Sequence, residues 1–525
     1  MTGIVSRPFA LCAIAFGISA ALSSAGVWAA APAHASSGIA WQKASSDAEV
    51  DKAFAMAKQS GKPVFLYWGA VWCPPCNQVK ATLFSRSDFV ERSRAFVPVY
   101  VDGDKPGAQK VAARFKVAGY PTMIIFKPDG TEITRLPGEV DPQRYLMTMT
   151  AGMNAQVPVK ELVRRAVAKQ PLTPEQWRLL AYYSWDTDEQ QVFGTTDLPQ
   201  KLADLAAVAP ADQPLVRARL ALKSLAAKAQ SKSTADGIAN DSARKMIERI
   251  VADPESVRQL AEIMVGYAET IVKHVAGSGE GRRSLASKWE KALAQLSEDP
   301  SLSRGDQIDL LDARVAMWKV MDDSEKLSAE HRSQVLRGVA KVVAATTDRY
   351  ERQAVVPGAA HLLTSAGLVA ESDELLKQEL PRAVAPYYHM LVLAGNAKAR
   401  DDVKGALYWY EQAWKKSEGP ATRIQWGTGF VNQVVDLSPT DVAKVESAAS
   451  GVVSQLDPKS ETFYERNQRS LKKMAARLVK WQGTDPARAK TVEKVKVQLA
   501  KTCSKLPAGD VGRANCDNVF PNTAT

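Results

Sequence analysis

Two cysteines stand two residues apart in the run Trp72-Cys73-Pro74-Pro75-Cys76, and a wider pair, Cys503 and Cys516, lies near the carboxyl end. A pair as close as Cys73 and Cys76 can clamp a metal, staple a loop or exchange disulfides. A zinc clamp needs two further ligands, and no nearby cysteine or histidine supplies them. The histidines beyond the amino-terminal segment, His274, His331, His361 and His389, all lie far downstream. A staple across so short a loop constrains little chain. Redox exchange asks only that one thiol ionise and the other stand within reach, and it calls for no metal and no cofactor.

The elements that must position this pair alternate between strand and helix over residues 39 to 152. Ile39 to Trp41 is expected as a short edge strand. Ser46 with Glu49 three residues on is a capping-box pattern, opening a helix that Gly61 closes. Val64 to Trp68 is a run of bulky apolar residues suited to a strand buried on both faces. The cysteine run follows at once, and Asn77 to Phe84 reads as helix. Phe96 to Val101 and Met123 to Phe126 read as strands, with a helix over Ala108 to Phe115 between them. Asp129-Gly130 is a hairpin turn leading into Glu132 to Leu136. Asp141-Pro142 then starts a final helix, with proline at its first position. The pattern predicts a mixed sheet with helices on its faces.

This stretch resembles the thioredoxin family. Trp72-Cys73-Pro74-Pro75-Cys76 matches the family's active-site turn, Gly119-Tyr120-Pro121-Thr122 looks like the segment that carries its cis-proline, and Gly138 fits a glycine that follows the hairpin in many members. The cysteine run is also similar to that of tryparedoxins and nucleoredoxins. The resemblance implies that Cys73 attacks a substrate disulfide and Cys76 resolves the mixed disulfide. It also implies that Trp72, Pro74, Pro75, Tyr120, Pro121 and Thr122 support the site, with Tyr120 presenting its backbone to an extended substrate segment. At a helix start, unpaired N–H groups and the helix dipole favour the Cys73 thiolate. Neither Pro74 nor Pro75 has an N–H, so the Cys76 amide is the nearest donor left. No histidine lies between the cysteines. A potential of about −270 mV is therefore expected, far from the roughly −120 mV of a strong oxidant. Tyr67 stands six residues before Cys73, where thioredoxins commonly carry a buried aspartate, so a carboxylate proton shuttle to Cys76 is not expected.

The amino terminus reads as an export signal over residues 1–35: Arg7, an apolar stretch from Phe9 to Ala21, and the small-x-small run Ala33-His34-Ala35. The apolar stretch is short for a spanning helix, and no later segment is long and apolar enough. The expected location is the periplasm, without stable membrane insertion after cleavage. Cleavage removes Cys12 and leaves four cysteines. Their spacing suggests bridges Cys73–Cys76 and Cys503–Cys516, with three connectivities open. The formal charge of +11 is spread along the chain without a basic run, which points to a solvated surface and not to nucleic acid.

Residues 155–500 read as helices throughout. Leu260, Ile263, Met264, Tyr267 and Ile271 share a face of a helix expected over Arg258 to Val272. Thr173-Pro174-Glu175-Gln176 and Ser438-Pro439-Thr440-Asp441 are helix starts. Gln230 to Asn240 and Gly277 to Arg283 are expected as loops. Ala406, Tyr410 and Ala413, with Leu393 and Ala394 before them, resemble a tetratricopeptide repeat, and His361 to Leu380 resembles a weaker one. The whole reads as an irregular helical-repeat array. Trp177, Trp289, Trp318, Trp409 and Trp414 are expected in its core. Residues 501–525 form a Pro-, Gly- and Asn-rich tail that a Cys503–Cys516 bridge would staple.

The expected organisation is a signal (1–35), a thioredoxin-like domain (36–154), a helical-repeat domain (155–500) and the tail. The expected activity is thiol–disulfide exchange, as a reductase or isomerase, on thiol- or disulfide-containing client proteins. A membrane electron donor would supply the reducing power. A protein-binding scaffold without turnover is the alternative.

Overall fold

The sheet begins three residues later than the sequence suggests. In the computed structural model, which describes residues 38–117, 119–136, 142–186, 188, 191–194, 197–230 and 241–521, β1 spans Gln42–Ala44, not Ile39 to Trp41. Its register against Val99–Val101 fixes that position. Trp41 instead packs its ring among Phe65, Tyr67, Phe84 and Tyr100. The signal segment, Gly138, Asp141 and residues 231–240 lie outside the described residues.

Ser46 caps α1 (Asp47–Ser60) with both halves of the capping box made, and Gly61 ends it in the left-handed region at φ 66°. β2 (Val64–Gly69) is buried at every residue. The helix after the cysteines starts earlier than Asn77: α2 spans Pro74–Val79 and continues as a π turn over Lys80–Phe84. Prolines at its first positions cost no hydrogen bond, because those N–H groups would be unpaired in any helix. A short α3 (Ser87–Arg92) precedes β3 (Val97–Asp102). α4 (Ala108–Phe115), β4 (Thr122–Phe126), β5 (Glu132–Leu136) and α5 (Pro142–Asn154) follow.

The sheet order is β1-β3-β2-β4-β5. β1, β3 and β2 run parallel, while β4 pairs antiparallel with both β2 and β5. Alternation along β2 sends Val64, Leu66 and Trp68 to one face, where α1 and α4 complete a core. Phe65 and Tyr67 go to the other, beneath α2, α3 and α5. Buried Arg135 on β5 ties the layers together by donating to the Phe115 and Lys116 carbonyls at the end of α4.

Beyond α5, every described element from Val159 to Asp517 is a helix. The helix expected over 258 to 272 is broken into Pro254–Gln259, Ala261–Gly266 and Ala268–Val275. Leu260 and Tyr267 leave helical geometry at the breaks, and the Met264 carbonyl beside one of them accepts the buried Trp289 indole N–H at 2.9 Å. The apolar face survives, because Leu260, Ile263, Met264 and Ile271 are all buried. The loop expected from Gly277 to Arg283 is shorter: Gly277 and Gly279 turn the chain at positive φ, and a helix starts at Glu280. Thr173 and Gln176 make the expected capping box. Ser438 does not start a helix. It ends Pro420–Leu437, and Asp441 caps the next by accepting the Lys444 N–H. Ala406 and Ala413 are buried on Val403–Lys416, which packs on Pro386–Ala399 with its buried Leu393 and Ala394. Trp177, Trp289, Trp318 and Trp414 are buried and Trp409 is partly so.

The two regions are not separate bodies. The described residues, from Gly38 onward, form one compact unit. The core beneath α2 and α5 continues through Trp72 and Cys73 into Tyr387, Trp426 and Val431, and on to Cys503 and Cys516.

Candidate active site

Cys73 follows the short Ala70–Trp72 loop after β2 and occupies the cap position of α2. Its Sγ accepts the Cys76 N–H at 3.2 Å. This is the donor that the two prolines leave available. Cys73 and Cys76 are disulfide-bonded, as are Cys503 and Cys516, so one of the three open connectivities is selected. Buried Asn77, which sequence reasoning missed, holds the turn: its Nδ2 donates to the Val71 carbonyl at 2.7 Å and the Cys73 carbonyl at 3.0 Å. A fully buried amide four residues after Cys73 lies on the same helix face, and its polarity was the available signal.

Behind the pair, Tyr67 fills the place of a carboxylate. Its hydroxyl donates to the Cys76 carbonyl at 3.4 Å, and burial pushes its pKa well up. A phenol so placed stays protonated and serves as a hydrogen-bond donor. Beyond it, burial raises the Asp102 carboxyl and lowers the Lys80 ammonium. No group of three or more His, Cys, Asp or Glu side chains able to hold a metal occurs among the described residues. None of their helices is long and apolar enough to cross a membrane.

The Tyr120–Pro121 bond is cis, and Thr122 turns its hydroxyl back to the Gly119 carbonyl at 2.9 Å. Tyr120 packs on the Trp72 ring at 5.4 Å between centroids. Trp72, Cys73, Cys76, Tyr120, Pro121 and Thr122 thus gather at one end of the sheet. Pro74 is half-buried beside them and Pro75 is exposed.

The helical region is seated on this end. Tyr388 stacks on Trp72 at 5.9 Å, and Trp426 lies 5.5 Å from it. Gln353 donates to the Trp72 carbonyl at 3.2 Å and accepts the Ala385 N–H at 3.1 Å. The Arg466 guanidinium lies over both the Trp72 and Tyr120 rings, at 5.4 and 5.2 Å. Asp104 joins the pieces by accepting from the Trp72 indole at 2.6 Å, the Thr422 hydroxyl at 2.5 Å and Arg466 at 2.9 Å. Gln109 adds a link, donating to the Tyr120 hydroxyl at 3.2 Å and accepting the Arg466 backbone N–H at 3.1 Å. Trp72 keeps 9 % and Cys73 2 % of their surface. Local sequence carries no signal for these contacts, which join residues up to 362 positions apart.

Comparison with known proteins agrees with the amino-terminal geometry. The thioredoxin-like domain family matches residues 50–152. A thioredoxin of Mycolicibacterium smegmatis is 34 % identical over 79 residues, which are 15 % of this chain and 68 % of that protein. The chain belongs to the thioredoxin family. Within it, the chain is also similar to thiol:disulfide interchange protein DsbD 1 of Pseudomonas aeruginosa, at 31 % identity over 105 residues, 19 % of this chain. The match spans only 18 % of that interchange protein's length. Among solved structures, oxidised thioredoxin O1 of Arabidopsis thaliana matches 21 % of this chain and 96 % of its own, at 19 % identity and a TM-score of 0.18. The thioredoxin-family relationship thus covers the α/β part, and the helices that follow are additional to it.

Proposed function

We propose that the protein is an exported, periplasmic thiol–disulfide oxidoreductase that reduces or isomerises disulfides in client proteins. The observation that carries this reading is Cys73 at the cap of α2, its sulfur held by the Cys76 amide. A thiolate there gains from the helix N-terminus. It attacks one sulfur of a client disulfide. The client S–S bond breaks, a mixed disulfide forms, and the leaving client thiolate takes a proton from water. Cys76 then loses its proton and attacks the Cys73 sulfur. The Cys73–Cys76 disulfide forms and the second client thiolate leaves. Two electrons pass from the dithiol to the client.

Without a carboxylate in the place of Tyr67, the Cys76 proton passes to water or to the departing client thiolate. Trp72, Pro74, Pro75, Tyr120, Pro121 and Thr122 form the face on which a client segment lies. Return to the dithiol needs an external dithiol reductant at the membrane, a role suggested by the likeness to interchange proteins. The prolines favour a reducing pair near −270 mV, on the scale where thioredoxin lies at about that value. The helical array chooses the client, and its buried Cys503–Cys516 bridge serves structure.

One observation favours a scaffold instead: the client face is covered. Turnover of insulin by the purified protein with dithiothreitol, beside Cys73→Ser, decides between the two. Exchange chemistry requires turnover that Cys73→Ser reduces to background. Equal rates for the two proteins would leave the scaffold.

A further inference from the structure

The contacts that seat the helical region on the redox end do more than join two halves of a chain. They lie where an extended polypeptide would have to run to bring a disulfide to Cys73. Tyr388 and Trp426 occupy the face of Trp72, and Arg466 spans the Trp72 and Tyr120 rings. Gln353 takes the Trp72 carbonyl, a backbone acceptor that a client strand could otherwise use.

This joint differs from the apolar core around it. At its centre is a buried ion pair, Asp104 with Arg466, each side chain 11 % exposed. Two donors of that guanidinium, Nε and Nη1, find no hydrogen-bond acceptor among the described residues, and the Trp426 indole N–H finds none either. Burying a charged pair costs its hydration, and an incompletely bonded pair regains little of that loss. Such an interface opens at lower cost than an apolar one of the same area. Around this joint the interface is apolar, since the core runs through it from Trp72 and Cys73 to Tyr387 and Trp426, so the polar joint is the part of it that gives way first.

We propose that the helical region is a displaceable cover that sets which disulfides reach Cys73, with Arg466, Trp426, Tyr388, Thr422 and Gln353 as the specificity-determining residues. Closed, it leaves Cys73 only 2 % exposed, which bars polypeptide segments far more strongly than small disulfides. Open, it exposes the client face. The natural client or partner is therefore a protein that breaks the Asp104–Arg466–Thr422 joint on binding. This inference rests on the exchange reading above.

The test uses the full chain, reduced beforehand and freed of reductant, in single turnovers with two oxidised substrates, insulin and the small aromatic disulfide 5,5′-dithiobis(2-nitrobenzoate), the Cys73–Cys76 dithiol supplying the two electrons. Arg466→Met combined with Thr422→Val keeps the side-chain shapes and leaves Asp104 with only the Trp72 indole. Raising the population of the open form raises insulin turnover in proportion, by about tenfold, while turnover of the small disulfide stays within about twofold. Gln353→Leu, on a different helix, gives the same reading if the double variant does not fold. Insulin rates equal to wild type in a folded variant, with the small disulfide still turned over through Cys73, would overturn the cover and leave the exchange chemistry standing. Failure of wild type and variants alike to turn over either substrate would overturn both.

Discussion

The two faces of the five-stranded sheet are built by different means. On the face that receives Val64, Leu66 and Trp68, the core is filled from residues 44 to 126 alone, by α1, α4 and the strands. On the face that receives Phe65 and Tyr67, the domain's own helices also cover the sheet, but at the cysteine end the core runs on into residues 385 to 519. The first face can be described from one stretch of chain. The second is complete only when the carboxyl-terminal third of the chain lies against it. Stability is a local property on one side of β2, and access to the disulfide is a long-range property on the other.

That difference can be sharpened by substitution. The largest effect on stability is expected at Leu66, fully buried in the self-contained face. Leu66→Ala should lower stability by about 4 kcal/mol, measured by urea unfolding, and should leave the ratio of insulin to small-disulfide turnover unchanged in the folded fraction. Trimming the cover with Trp426→Ala should instead raise that ratio.

On the shared side, the Cys503–Cys516 bridge closes a loop of sequence separation 13 between two helix ends. Replacing both residues by serine should cost about 3 kcal/mol, again by urea unfolding. Cys73–Cys76 exchange with a small disulfide should persist.

The cover also carries a pH dependence. His389 is fully buried beside Tyr388, the residue stacked on Trp72. Burial pushes its imidazole down to about 4, against the opposing pull of Glu379. An unfolded imidazole titrates near 6.5, so between about 6.5 and 4 the unfolded chain binds the extra proton and the folded chain does not. Stability therefore falls as pH falls through that window, by about 3 kcal/mol in full. Melting temperatures taken from pH 7 to 4.5 should drop less steeply in His389→Leu than in wild type. An equal slope in both would remove His389 as the cause. The smallest effect is expected back on the self-contained face, where Ser46→Ala removes the α1 cap and should cost about 1 kcal/mol.

The same contrast explains what could be read from the sequence. α1, α4 and β5 were legible because their signals are local: Ser46 with Glu49, the left-handed Gly61, an eight-residue amphipathic run, a hairpin turn at Asp129-Gly130. The cysteine turn was legible because Cys73, Cys76 and Pro121 belong to short motifs. Errors arose where tertiary contacts overrode local pattern. β1 slid to Gln42 to match Val99, and the helix over 258 to 272 broke where Trp289 reaches the Met264 carbonyl. The cover was not legible at all. Arg466, Thr422 and Gln353 read as ordinary helix residues, and nothing local marks them as neighbours of Trp72.

The decisive measurement compares the intact chain with a fragment from Ser36 to Ala155, which keeps every strand of the sheet and the helices α1 to α5 but removes the cover. Both are assayed on insulin and on the small disulfide. Rates on the small disulfide should be equal, and the folded fragment should reduce insulin at least about tenfold faster than the intact chain, the factor expected when a closed state of low client access is eliminated. An intact chain that reduces insulin as fast as the folded fragment would contradict the cover.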